Sequence, residues 1–170
     1  MGPGDVHDVL DRLLAAGLEP VLDGGWGVDA LLGEQSRPHV DVDVVVLRDD
    51  LQLAEAALAA SGYAGDDSAS PGLPARRVLT AADGRGVDLH LVVRDEAGNG
   101  WQELDHGAWG EYAADGLNGV GVIDGRYVRC VTVQLQVRHH LGYPPREQDL
   151  SDLRALAARF GIAIPPPWRN

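Results

Sequence analysis

Asp41 and Asp43 stand two residues apart in a run of valines, VDVDVVV. On a strand, residues two apart point to the same side, so both carboxylates leave one face while Val40, Val42 and Val44 face the other. Two carboxylates held together repel unless a positive charge sits between them. A divalent cation fills that role, and Mg²⁺ favours one or two carboxylates supplemented by phosphate oxygens and water. Gly24 and Gly25 lie where a helix should begin, where backbone N–H groups can cradle an anion. A metal site and a phosphate site within Val21 to Val46 point to nucleotide chemistry. The plainer alternative is an exposed, acid-rich strand end after a glycine turn.

The elements that must position these residues follow from local pattern. Asp5 to Ala16 has apolar residues at helical spacing and ends at Gly17. Glu19 to Leu22 reads as a short strand, Trp26 to Leu32 as a helix closed by Gly33, and Val40 to Leu47 as the acid-bearing strand. Asp49 to Ser61 is a second helix, with acids at its positive end and Gly62 after it. Tyr63 to Leu73 is polar and reads as a loop or strand-end excursion. ARRVLT (75–80) and VDLHLVV (87–93) make a hairpin across DGRG. Asp95 to Gly119 reads as irregular, with Trp101 and Trp109 as anchors over the sheet. GVGVI and RYVRC flank Asp124-Gly125, a type I′ hairpin turn. Thr132 is set to cap a helix running to His140, GYPP interrupts, and Gln148 to Phe160 forms a last helix with Leu150, Leu153, Leu156 and Ala157 as its stripe.

The whole block DGGWGVDALLGEQSRPHVDVDV resembles the small antibiotic nucleotidyltransferases, the lincosamide and aminoglycoside 2''-adenylyltransferase groups, within the superfamily that includes DNA polymerase beta. The likeness spans Trp26, Asp29, Leu32, Gly33, Arg37 and His39 together with both acids, and continues weakly at VDLHLV and near the C-terminus. It implies an α/β (α+β) nucleotidyltransferase fold, a mixed sheet with flanking helices on one side. Residues 1–130 would be the core domain and 131–170 a C-terminal helical segment. It also implies a third carboxylate on a neighbouring strand, and Asp88 is the match. Asp41, Asp43 and Asp88 are then the expected catalytic and metal-binding set, with Asp88 as third ligand, general base, or both. Gly24, Gly25 and Arg37 are the expected nucleotide contacts, with Arg37 alternatively paired to Asp29. His39 and His90 are expected in support, His39 through hydrogen bonds and His90 beside Asp88 on one face. Trp26 reads as core packing rather than base stacking.

QVRHHLGYPPREQDLSDLRAL resembles the lincosamide enzymes at Gln136, His140, Gly142, Tyr143, Asp149 and Asp152. The aminoglycoside enzymes carry a lysine near Gln148, which tilts the resemblance toward the lincosamide side. Tyr143 could line the nucleotide pocket or pack under GYPP. His139 and His140 are neighbours on a helix and cannot face one site.

Composition bounds the rest. A chain of 170 residues with 45% hydrophobic content can bury a core as one domain. The net charge of −12 argues against a nucleic-acid partner. It suits a cationic acceptor, with Glu103, Asp105 and Glu111 as candidate walls. All 14 basic residues are Arg, so side-chain contacts to a triphosphate fall to Arg. Cys130 is the single cysteine and reads as a buried hydrophobe. No apolar run approaches a membrane span and no leader is legible, so a cytoplasmic protein is expected. The expected reaction moves a nucleoside monophosphate, AMP from ATP with Mg²⁺, onto a hydroxyl of a small molecule, an antibiotic by resemblance. The alternatives are another metabolite, a protein side chain as in toxin–antitoxin pairs, or a silent nucleotide-binding module. A homodimer stays open.

Overall fold

The structure, a computed structural model, describes residues 1–65, 72–141, 144 and 146–164, with Asp105 by its backbone. Gly142, Tyr143 and most of the 66–73 loop lie outside that set.

The chain opens with α1 (Pro3–Ala15), whose Val6, Val9, Leu10 and Leu13 form a buried stripe at helical spacing. Then come β1 (Val21–Asp23) and α2 (Gly24–Leu32), which Gly33 ends in the left-handed conformation at φ 80°. β2 (Asp41–Leu47) follows, then a 3-10 turn at Arg48–Asp50 and α3 (Leu51–Ala59). The remaining strands are β3 (Ala64–Gly65), β4 (Arg76–Thr80), β5 (Gly86–Arg94), β6 (Gly100–Glu103), β7 (Trp109–Tyr112), β8 (Gly119–Ile123) and β9 (Arg126–Cys130). Helices α4 (Val133–His140) and α5 (Glu147–Phe160) complete the described chain.

The sheet runs β3-β4-β5-β2-β1-β9-β8. β2 lies at its centre, antiparallel to β1 and parallel to β5, so the sheet is mixed. β4 pairs with β5 as far as His90; β6 then takes over from Val92 and carries β7 beyond it. Period-two alternation separates the two faces. Leu22, Val42, Val44, Val46, Val87, Leu89 and Leu91 pack against α1, α3 and Trp26 of α2. Val21, Val45 and Val92 face the other way, under Tyr112, Leu117 and Leu135.

Three expectations change. Helices do not keep to one side, because α4 sends Leu135 onto the second face. The segment from Asp95 to Gly119 holds the β6–β7 hairpin, and its anchor is Tyr112, 2% exposed, whereas Trp109 is 49% exposed. Trp101 is half-buried at the rim, its indole N–H bonded to Asp95. Strands of four residues with a polar or glycine residue at alternate positions carry too little periodicity to be read, and ring size alone misleads. Thr132 does occupy the N-cap of α4, but its hydroxyl makes no capping bond. The Asp124-Gly125 turn is as read, with both residues at positive φ.

Candidate active site

The register of three strands creates the site. Asp43 lies opposite Asp23 on one side and Asp88 on the other. One step along β2, Asp41 neighbours Gly86; one step the other way, Val45 neighbours His90. Partners in register point to the same face, so Asp23, Asp43 and Asp88 form a carboxylate row continuous with the Val21–Val45–Val92 floor. Asp43, Asp88 and His90 bring ligand atoms within 4.8 Å of one another. Asp41 does not join that group; it sits exposed at the start of β2. Loss of water and the neighbouring Asp43 still raise its pKa.

Asp88 is 5% exposed. One oxygen receives the Arg76 guanidinium, while Oδ1 is buried with no hydrogen-bond partner. Burial raises the Asp88 pKa, and repulsion from Asp43 and Asp41 adds to it against the pull of His90 and Arg76. A buried carboxylate oxygen without a partner is costly.

Asp23 was not foreseen as a site residue. It is 4% exposed and accepts from the Gly24 N–H on Oδ1 at 2.9 Å and from the Tyr112 hydroxyl on Oδ2 at 2.9 Å. His90 Nδ1 lies 3.3 Å from the same Oδ2, and His139 Nδ1 3.7 Å. Burial opposes ionisation of Asp23, but His139 and His90 outweigh it and hold its pKa well below the usual range. Burial likewise opposes a charge on His90, yet Asp23 and Asp43 hold its pKa well above the ordinary imidazole value. His90 Nε2 faces Asp43 Oδ1 at 3.4 Å, so the ring bridges two carboxylates. The available signal was parity: Asp23 follows Val21 by two and precedes a glycine turn that needs a cap. Nothing local announces Tyr112 or His139.

The two glycines are packed against side chains. Gly24 has φ 55°, and a Cβ there would overlap the Asp43 carboxylate. A Cβ on Gly25 would come within 2.6 Å of Arg37 Nη2 and of His39. The first N–H groups of a helix have no partner within it; Asp23 takes that of Gly24, leaving Gly25 as the one of the pair to meet an anion.

Behind this turn lies a second polar cluster. Arg37 donates to both oxygens of Asp152 on α5, at 3.3 and 3.0 Å, and from Nη1 to His39 Nδ1 at 3.1 Å. Arginine only donates, so His39 Nδ1 accepts and its ring proton lies on Nε2, 2.6 Å from Asp29 Oδ2. Asp29 Oδ1 is taken by the Ser36 N–H and hydroxyl. The acid paired with Arg37 is therefore Asp152 rather than Asp29. Trp26 is 1% exposed, its ring centroid 4.7 Å from that of His39, so it packs in the core. His140 is buried and faces back to the Gln136 carbonyl while His139 faces Asp23, so the two diverge as their adjacency requires. Glu103 and Glu111 are paired with Arg48 and Arg138, which weakens them as an acidic wall.

The two carboxylates suit a hard divalent cation: Asp43 and Asp88 converge, one Asp88 oxygen has no partner, and His90, its pKa held high, stands beside them as a donor to Asp43. Phosphate on the Gly25 side and a proton acceptor at Asp88 would complete a phosphoryl-transfer site.

Known proteins resemble this chain in sequence and in fold. A family model described as aminoglycoside-2''-adenylyltransferase matches residues 5–156. A lincosamide resistance protein of Staphylococcus haemolyticus is 29% identical over 135 residues, 79% of this chain and 81% of that protein. The crystal structure of the lincosamide antibiotic adenylyltransferase LnuA, lincomycin-bound, aligns with a TM-score of 0.78 at 26% identity, covering 91% of this chain and 96% of that one. ANT(2'')-Ia in complex with adenylyl-2''-tobramycin shares the fold, with a TM-score of 0.66 at 21% identity over 92% of this chain and 88% of that one. With the family match running from α1 into α5 and enclosing every residue of the carboxylate row, the chain belongs to the aminoglycoside-2''-adenylyltransferase family of antibiotic nucleotidyltransferases.

Proposed function

We propose that this enzyme transfers AMP from ATP to a hydroxyl of an antibiotic and releases pyrophosphate. The lincosamide class is favoured over the aminoglycosides, since the lincosamide relative and LnuA cover most of the chain at 29% and 26% identity. The observation that carries the reading is the buried, partnerless Asp88 Oδ1 beside Asp43 in register.

In this reading Asp41 and Asp43, on one face of β2, would hold Mg²⁺ with Asp88 beside them, and the bound ion would neutralise triphosphate charge. The acceptor hydroxyl attacks the α-phosphorus, the bond to the β-phosphate oxygen breaks, and pyrophosphate leaves. Asp88 takes the hydroxyl proton on Oδ1 while Arg76 steadies its other oxygen. Gly25 and Arg37 form the phosphate-facing side, with Arg37 held in place by Asp152. The core, residues 1–130, would carry the chemistry, and the helical segment, 131–170, would support it, with His139 of α4 beside Asp23 and Asp152 of α5 on Arg37. No helix among the described residues is long and apolar enough to cross a membrane, and we place the reaction in the cytoplasm, where ATP is supplied.

The test is incubation with Mg²⁺ and each of ATP, GTP, CTP and UTP against a panel of lincosamides and aminoglycosides, read by mass spectrometry. The expected result is a lincosamide heavier by one AMP with pyrophosphate released. Absence of both, with every nucleotide and acceptor, would refute the reading.

A further inference from the structure

We infer that Asp23 is a positioning residue for the Asp43–Asp88 site, acting through the ring of His90. The inference rests on the proposed function for what the site does, and on hydrogen-bond accounting for how Asp23 shapes it.

Tyr112 has one hydroxyl proton, and it points to Asp23 Oδ2 at 2.9 Å. His90 Nδ1 lies 2.9 Å from the Tyr112 oxygen and 3.3 Å from the same Oδ2. Both of those atoms act as acceptors toward the ring, so Nδ1 carries a proton. Fixing the Nδ1 side fixes the ring, and Nε2 is left facing Asp43 Oδ1 at 3.4 Å, within the group formed by Asp43 and Asp88. A carboxylate that holds one nitrogen of an imidazole fixes what the other nitrogen offers to Asp43, and such outer contacts set the orientation of the carboxylates at a cation site. The Asp43 carboxylate is confined from the other side too, because its Oδ2 lies against Gly24. Asp23 therefore settles two neighbours of Asp43 at once: it caps the helix that begins at Gly24, and it orients His90.

Only a carboxylate does both. Oδ1 must accept from Gly24, and Oδ2 must accept from Tyr112 and His90. Asparagine can accept on one side only; its amide, turned toward His90, would donate to Nδ1 and displace the proton there. Serine can replace the cap, since Ser and Asp are comparable at that position, but it cannot reach the ring. A residue that is merely a cap would tolerate Asp23→Ser. A positioning residue would not.

The test uses the full chain carrying Asp23→Ser, Asp23→Asn or Tyr112→Phe. Nitrogen-15 spectra of the imidazoles should show Nδ1 of His90 protonated in the unmodified protein and lose that proton signature in both Asp23 variants. Mn²⁺ affinity, measured by electron paramagnetic resonance with a methylene-bridged, non-transferable ATP analogue, should fall about 10–100-fold in the Asp23 variants and less in Tyr112→Phe. Thermal melting should remain cooperative in Asp23→Ser. If Asp23→Ser does not fold, Asp23→Asn decides: unchanged Mn²⁺ affinity and an unchanged His90 signature there overturn the inference. A folded Asp23→Ser that binds Mn²⁺ and the analogue as tightly as the unmodified protein overturns it as well. The His90 signature is read without nucleotide, so the two readings fail separately. An unprotonated Nδ1 sinks the role of Asp23, whereas failure of the unmodified protein to bind Mn²⁺ with the analogue sinks the proposed function.

Discussion

Two polar clusters flank the glycine turn, and each joins acidic residues, a histidine and an arginine. The cluster behind the turn is closed. Asp29 has both oxygens occupied, His39 both nitrogens, and Asp152 both oxygens, all by neighbours within the fold. The cluster in front is open. Asp23, Asp43 and Asp88 form one row with His90 and Arg76 one step along the strands, yet one buried Asp88 oxygen has no partner and Asp41 stands exposed at the start of β2. A closed network returns the desolvation cost of its members as mutual hydrogen bonds and serves the structure. An open one leaves that cost unmet until something arrives, and so marks where a ligand acts.

The contrast is broken most severely at the open cluster's own acids. Asp88→Asn should lower turnover by ~10²–10⁴-fold, the usual range for loss of a general base, while Mg²⁺ and nucleotide still bind. Asp43→Asn should abolish turnover. Asp88→Asn should melt no lower than the unmodified protein, because burial and repulsion from Asp43 and Asp41 already oppose its charge. Steady-state kinetics with calorimetric titration of a non-transferable nucleotide measure the first two effects. Unchanged turnover in Asp88→Asn would remove it from the chemistry, and loss of nucleotide binding there would make it chiefly a metal ligand.

Much of the open cluster was legible because alternation is a local property. Asp41 and Asp43 share a face by spacing alone, as do Asp88 and His90, and a glycine turn before a helix is legible as such. What escaped was convergence. His90 and Tyr112 reach Asp23 across 67 and 89 residues, and neither contact leaves a mark on its own segment. The closed cluster was half legible: His39 and Asp29 lie in one block ten residues apart, but the partner of Arg37 is 115 residues on. Trp101 and Trp109 misled because ring size suggested anchoring, whereas burial went to the smaller ring of Tyr112 at the end of the hairpin. The pairing of β2 with β5 in parallel decides the site, and pairing is a property of the whole sheet.

The closed cluster should fail in stability before it fails in chemistry. Asp152→Ala leaves Arg37 without its carboxylate. Breaking a fully buried pair costs about 3–5 kcal/mol; here Asp152 is 4% exposed but Arg37 28%, so water can solvate part of the orphaned charge. A loss of roughly 2–3 kcal/mol is expected from urea unfolding. If Asp88→Asn costs more stability than Asp152→Ala, the division into open and closed clusters is wrong.

The adjacent glycines separate the clusters more finely. Gly24→Ala presses on Asp43 and holds a left-handed backbone that costs an alanine roughly 1–2 kcal/mol. It should therefore weaken Mg²⁺-dependent turnover beyond what its stability loss explains. Gly25→Ala presses on Arg37 and His39. Its effect should lie in stability, about 1–3 kcal/mol as for overpacking elsewhere, and in a raised nucleotide KM through Arg37, with turnover at saturating nucleotide changed less than in Gly24→Ala. The ratio of activity loss to stability loss, compared between these neighbours, measures how sharply the boundary falls at the turn. Equal ratios would mean that the clusters act as one.

The smallest effect concerns how α5 presents Asp152 to Arg37. Asp149 lies one turn earlier, and its carboxylate accepts from the Arg146 backbone at 2.9 Å and from the Arg146 guanidinium at 2.9 and 2.8 Å, closing the start of the helix. Burial alone would raise its pKa, but those bonds prevail and hold it below the ordinary 3.8. A carboxyl depressed in the folded state adds stability that is present above its unfolded value and disappears as pH falls through its folded value. The first turn of α5 should thus stay protected at neutral pH and loosen only below 3.8, by up to about 1 kcal/mol, the scale of one helix cap. Amide exchange across α5, followed from neutral pH down through that range, should show the loosening. Asp149→Asn should start from lower protection and lose this acid-dependent step. A step in the unmodified protein that sets in well above 3.8 would show that another group governs α5, and that the closed cluster's tie to the C-terminal helix does not depend on this cap.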